Sequence, residues 1–170
     1  MRILEATRFT LEPQVPQHAE EMFLVLSDPA IYEYENAPPP SVDWLRTRFE
    51  RLESRKSPDG TEEWLNWVIR LPTDELIGYV QATVKFGDLA FVAYALSSKF
   101  WGRGLASEAV SAMIMELSLS YKVRICFASL KVENFRSILL LERLGFSFAN
   151  ADQCAEHQVE SDELLMQVSI

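Results

Sequence analysis

Gly102 and Gly104 flank Arg103 where an apolar run passes into a helical pattern. The stretch AYALSSKFWGRGLASEAVSAMIMEL, residues 93–117, reads as a buried strand, a short turn and a long helix with Ala106, Val110, Met113 and Leu117 on one stripe. Two glycines at a helix start leave several backbone N–H groups aimed at one spot. Such a spot binds an anion, phosphate above all. The chemistry expected is that of a nucleotide-containing cofactor, although paired glycines alone are also the mark of a tight turn.

The neighbouring residues narrow the choice of cofactor. Residues 102–107, GRGLAS, half-match the dinucleotide fingerprint G-x-G-x-x-G/A. The glycines, however, come several residues after the strand ends. Ser129 to Lys131 also stands where an acidic residue should hold a ribose. No G-x-x-x-x-G-K-[ST] occurs. Two cysteines, Cys126 and Cys154, and two histidines are scattered without metal-ligand spacing. Cys126 sits in an apolar run as a reduced core residue, and Cys154 in a polar, exposed segment.

The elements that must carry this turn are readable by pattern. Residues 3–11 read as one strand with Ile3, Phe9 and Leu11 on one face. Pro16 opens a helix to about Leu26, stopped by Ser27-Asp28-Pro29. Residues 36–40, NAPPP, form a rigid connector, and Ser41 caps a helix running to about Arg55. A turn at 57–60 precedes a hairpin of residues 64–71 and 76–86. Residues 89–96 are apolar at nearly every position, which predicts a strand buried on both faces. The helix after Gly104 runs to about Leu119. A strand at 123–130, a helix at 134–144 ended by Gly145, a short strand from Phe146 and a last strand at 164–170 complete the chain. This order predicts an α+β fold with a mixed sheet, in one domain over residues 1–170 and without internal repeats.

Charge excludes some partners. With 25 acidic residues against 16 basic ones the net charge is −9, against a nucleic-acid binder. From Leu144 onward there is no Lys or Arg, but there are Asp152, Glu156, Glu160, Asp162 and Glu163. These form either a solvated acidic face or an entrance that attracts a cationic amine. No run reaches 18 apolar residues and the first residues lack an apolar signal core, so a cytoplasmic protein without a membrane partner is expected.

Two segments carry a family resemblance. One is Trp101-Gly102-Arg103-Gly104-Leu105-Ala106-Ser107-Glu108-Ala109. The other is Asn134-Phe135-Arg136-Ser137 followed by Leu141-Glu142-Arg143-Leu144-Gly145-Phe146. At this spacing they resemble the GNAT N-acetyltransferase superfamily, and within it the Rim-type branch of ribosomal-protein N-terminal acetyltransferases. Thr7-Arg8-Phe9-Thr10-Leu11 is similar to the opening of that branch, and Leu76-Ile77-Gly78-Tyr79 resembles its hairpin strand. The resemblance implies a mostly antiparallel sheet of about seven strands, flanked by helices and splayed at a central parallel pair. It also implies acetyl-CoA as cosubstrate, with no metal.

Residue by residue, the resemblance implies that the amides of Trp101, Gly102, Arg103, Gly104 and Leu105 meet the CoA pyrophosphate, with Ala106 beside them. The glycines let the phosphates approach closely. Lys99 either reaches a phosphate or is solvated, and Arg103 is ambiguous in the same way. Tyr94, Ala95 and Leu96 line a gap into which the pantetheine arm pairs like an added strand, one amide polarising the thioester carbonyl. Asn134 binds that arm, caps its helix, or does both.

The expected reaction is direct attack of a neutral amine, from a small molecule or a peptide N-terminus, on the acetyl thioester. The tyrosine acid of many relatives is replaced by Leu141, leaving Ser137 to stabilise the thiolate. The usual strand glutamate is replaced by Phe91. Glu156, ten residues beyond Phe146, becomes the expected base or else a plain surface carboxylate. His157, Glu33 and Glu35 are weaker candidates, and Trp44 and Tyr34 are candidates for an acceptor pocket. The rival reading is a non-catalytic acyl-CoA-binding module. A monomer and a homodimer are equally compatible with the sequence.

Overall fold

The structure, a computed structural model, describes residues 1–34, 36–85 and 88–170. Glu35 therefore lies outside the described residues, as do Phe86, the last residue of the expected hairpin, and Gly87. One eight-stranded sheet runs in the order β1-β2-β3-β4-β5-β6-β8-β7. Its strands are β1 Leu4–Glu5, β2 Thr10–Pro13, β3 Glu63–Arg70, β4 Leu76–Lys85, β5 Leu89–Leu96, β6 Ile125–Lys131, β7 Ser147–Phe148 and β8 Glu163–Ser169. The helices are α1 Ala19–Leu26, α2 Val42–Glu53, α3 Leu105–Tyr121, α4 Phe135–Arg143 and α5 Ala151–Glu156.

Two features depart from the sequence reading. The expected first strand is a small hairpin: Ala6 N donates to Phe9 O at 3.0 Å and Leu4 faces Leu11, which leaves Ile3 54 % exposed. Polar Thr7 and Arg8 make its turn, and the extra strand raises the count from about seven to eight. Helix α5 was not expected. Its start is a capping box in which Asn150 and Gln153 satisfy each other's backbone N–H.

All strand pairs are antiparallel except β5–β6, whose parallel ladder has only three rungs, from Leu89↔Ile125 to Phe91↔Phe127. Beyond Phe91 and Phe127 the two strands part. β5 continues against β4 as far as Leu96↔Gly78, and β6 continues against β8 as far as Lys131↔Glu163. The facing backbones of residues 92–96 and 128–131 are left without a strand partner, so the sheet opens into a V. This is the splay that the sequence resemblance implied.

Two apolar clusters hold the V in place. The larger lies under α3 and α4, with Trp67, Ile77, Val80, Ala90, Val92, Met113 and Leu117 at its centre. The smaller packs α1 and α2 on the opposite face, over Val68 and Leu76. α2 begins where Ser41 Oγ accepts from Trp44 N at 3.1 Å. The expectation that β5 is buried on both faces fails. Ala90, Val92 and Leu96 are buried, but Phe91 is half-buried and Ala93 is exposed. The apolar run is covered by α3 and α4 on one side, while the smaller cluster reaches only β3 and β4 on the other. Gly78 sets the spacing of β4 and β5 at the V, because a Cβ there would run into the Ala95 carbonyl oxygen.

Candidate active site

The V leads into a cavity of about 240 Å³ walled by the end of β5, the glycine turn, the first turn of α3, one face of α4, and Ala30, Ile31 and Tyr34 from the segment between α1 and α2. Tyr94, Ala95, Leu96, Trp101, Gly102, Gly104, Leu105, Ala106, Asn134 and Ser137 all line it. Sequence-expected Lys99 and Arg103 do not. Lys99 is exposed and Arg103 lies over the Phe100 ring at 5.4 Å. In their place the structure brings in Arg136 and Arg143. The signal was present: residues 136, 140 and 143 recur at helical spacing on one face with Ser137.

The glycine turn is a left-handed cradle, with φ of +72° at Gly102 and +75° at Gly104. Glycine accepts these angles at no steric cost. Among the described residues the amides of Gly102, Arg103 and Gly104 donate to no acceptor. Trp101 differs from expectation: its N–H already bonds Ser98 O at 3.2 Å. Its contribution is the side chain instead. Trp101 Nε1 donates to Leu96 O at 2.9 Å, and the Arg136 guanidinium stacks 3.7 Å from its ring centroid.

The end of β5 presents alternate residues to the gap. Ser97 N bonds Ile77 O, so by antiparallel alternation the peptide groups of Ala95 turn toward Tyr79 on β4. Those of Tyr94 and Leu96 turn toward the V. Leu96 O is taken by Trp101, which leaves the N–H groups of Tyr94 and Leu96 and the Tyr94 carbonyl facing the gap. Asn134 caps α4 with its Oδ1 accepting from Ser137 N at 3.2 Å, and it still lines the cavity.

Two residues outside the expected set brace the cradle. Arg8 donates from Nη1 to Arg103 O at 2.8 Å and grips Glu108 with Nε and Nη2. Asp28, read from sequence only as a helix stop, accepts from Ser98 N at 2.7 Å, from Ser97 Oγ at 3.4 Å and from Ala30 N at 3.1 Å. Burial works against its charge, but these hydrogen bonds outweigh burial and hold its carboxyl below the usual range. Asp28 thus ties the segment after α1 to the turn leading into the cradle.

The residues expected to serve the acceptor gather less closely at the cavity. Glu156, the last residue of α5, is exposed and does not line the cavity. Its neighbour His157 is half-buried, with its ring 5.1 Å from Phe91 and 4.7 Å from Phe127 by centroids. These two phenylalanines form the last rung before the strands part. Glu33 and Trp44 are exposed and off the cavity, whereas Tyr34 lines its mouth. Leu141 is 1 % exposed. Burial pushes the Cys126 thiol up to about 12, as befits an inert core residue, and Cys154 is half-buried rather than exposed. Among the described residues no helix is long and apolar enough to cross a membrane.

Comparison with known proteins agrees with this geometry. Residues 8–147 match the family model described as the acetyltransferase (GNAT) domain. The uncharacterized N-acetyltransferase p20 of Bacillus licheniformis is 29 % identical over 149 residues, covering 86 % of this chain and 83 % of that protein. RimL, a ribosomal L7/L12 alpha-N-protein acetyltransferase solved with coenzyme A, shares the fold with a TM-score of 0.84 at 16 % identity, over 99 % of this chain and 98 % of its own. The microcin C7 self-immunity acetyltransferase MccE, solved with acetyl-CoA and AMP, gives 0.79 at 19 % identity, over 97 % and 94 %. The chain belongs to the GNAT acetyltransferase family and is an acyltransferase.

Proposed function

We propose that this protein moves an acetyl group from acetyl-CoA to a primary amine, at a peptide N-terminus or on a small molecule. The observation that carries the reading is the V between β5 and β6 opening onto the unpaired amides of Gly102, Arg103 and Gly104. The residues present fit the cosubstrate. The cradle and the adjoining Arg136 and Arg143 suit the phosphates, the free Tyr94 and Leu96 amides suit an extended amide-bearing arm, and the neighbouring core is apolar. Acetyl-CoA supplies an activated acetyl thioester. RimL and MccE, whose folds match, were solved with CoA and acetyl-CoA.

The protein's own part is positioning. The N–H of Tyr94 or Leu96 polarises the thioester carbonyl, and Asn134 holds the arm through its free amide hydrogens. Ser137, on the first turn of α4, faces the sulfur and stabilises the leaving thiolate. The amine enters over the open face of β5 at Ala93, and its proton is taken at the tip of α5. His157 is the side chain in contact with the Phe91–Phe127 floor, while exposed Glu156 acts through water.

The test is CoA release from acetyl-CoA across a panel of primary amines and N-terminal peptides, with mass analysis of the acceptor. Turnover on one acceptor class with one acetyl group added per product supports the reading. Saturable acetyl-CoA binding without release on any acceptor contradicts it and identifies an acyl-CoA-binding module.

A further inference from the structure

Among the side chains that line the cavity, acetyl transfer as described leaves the buried Tyr94 hydroxyl unused. Tyr94 stands on β5 with its ring packed against the core under α3. Its Oη is shut off from solvent and makes no hydrogen bond of good geometry among the described residues. A buried hydroxyl without a partner is costly, so its retention points to a neighbour that completes it. Burial pushes the phenol's ionisation up, and the Ser137 hydroxyl is the side chain that draws it partly back down. Both residues line the same cavity, and the backbone of Ser137 is pinned by the Asn134 cap. Leu141, one turn further along α4, is apolar and buried.

We propose that Tyr94 is a positioning residue for thiolate departure: its O–H donates to Ser137 Oγ and thereby turns the Ser137 O–H toward the sulfur. The proposal rests on the acetyl-transfer reading. In that step the amine nitrogen bonds to the acetyl carbon and the C–S bond breaks, its electron pair staying on sulfur. The amine proton goes to the base on the acceptor side. The sulfur leaves as a thiolate held by the Ser137 O–H and takes its proton from solvent afterwards, so neither hydroxyl is consumed. Burial pushes the Tyr94 phenol up to about 12, which keeps it a donor throughout the working range. Two hydroxyls in series polarise each other, so the outer one is a stronger donor than a lone serine.

The test uses bound CoA and the variants Tyr94→Phe, Ser137→Ala and the double variant. The pH at which bound CoA ionises is followed by thiolate ultraviolet absorbance, referenced to the complex with desulfo-CoA. Tyr94→Phe keeps the ring and the packing, and the expected result is ionisation raised by about half a pH unit to one unit, with kcat lowered about 5- to 10-fold and KM for acetyl-CoA unchanged. In the Ser137→Ala background the same substitution adds little, since the two hydroxyls act as one unit. An unchanged ionisation pH in Tyr94→Phe, or an effect equal in both backgrounds, overturns the proposal while leaving acetyl transfer standing. A wild-type protein that binds no CoA overturns the acetyl-transfer reading and this proposal together.

Discussion

Arg8 Nη1 donates a 2.8 Å hydrogen bond to the carbonyl of Arg103, the residue between the two glycines of the cradle. A trans peptide is planar, so fixing that carbonyl outward aims the Gly104 N–H to the opposite side, into the cavity. Glu108 holds Arg8 in place with bonds of 2.9 and 2.7 Å. The first hairpin of the chain therefore sets the direction of a cradle amide nearly a hundred residues later. Arg8→Ala is expected to raise the Kd for CoA about 5-fold. Its melting temperature should move little, because the ion pair is exposed. Calorimetric titration with CoA measures the first effect, and an unchanged Kd contradicts the assignment.

Gly78 makes the close approach of β4 to β5 possible at Ala95 and Leu96. Gly78→Ala drives a methyl group into backbone rather than into a side chain that could swing away. The expected cost is about 1–3 kcal/mol in denaturant unfolding. The same variant displaces the strand end that lines the gap, so CoA affinity should fall with stability. Full stability with full affinity would show that the two strands have room to spare.

The base assignment is tested by contrast. His157→Gln removes the imidazole resting on Phe91 and Phe127, whereas Glu156→Gln alters an exposed carboxylate. The expected loss in kcat is about 100-fold for His157→Gln and a few-fold for Glu156→Gln, with acetyl-CoA binding intact in both. Rate-against-pH profiles of the two variants check the origin of the loss. The reverse order would return the role to Glu156, as the sequence resemblance had it.

Asp28 makes stability depend on pH. Hydrogen bonds from Ser98, Ala30 and Ser97 hold its folded carboxyl below the ordinary value of 3.8. A depressed folded value means the contribution is fully present above the unfolded value and is lost as pH falls through the folded one. Asp28→Asn removes that dependence. The stability gap between wild type and variant, read from urea unfolding, should therefore be constant near neutrality and shrink below about pH 4. A gap that stays constant through that range contradicts the linkage.

The glycine cradle and the cavity wall around it were legible in the sequence because local patterns determine them. Gly102 and Gly104 need positive φ, Asn134 caps a helix, and the apolar run of β5 leads straight to both. The same local logic found the succession of strand and helix around the turn. What escaped it depends on long-range contacts. Arg8 meets Arg103, and Asp28 meets Ser98, only because segments far apart in the chain fold back on the turn before α3. The exposed face of β5 at Ala93 is set by how far α1 and α2 extend, which no pattern within the strand encodes. Lys99 is exposed and off the cavity while Arg136 and Arg143 line it, because a turn residue's place is decided by tertiary packing and a helix residue's by its period. The Asn150–Gln153 capping box, by contrast, was a local signal that could have announced α5 and placed the already named His157 at its end.

Amide hydrogen exchange with and without acetyl-CoA tests the central claim most directly, since it reads the cradle and the open strand edge one residue at a time. The account predicts slowed exchange at Gly102, Arg103 and Gly104 and at Tyr94 and Leu96, with Ala95, already turned toward Tyr79, little changed. Protection absent from these amides, or confined to another part of the molecule, would contradict it.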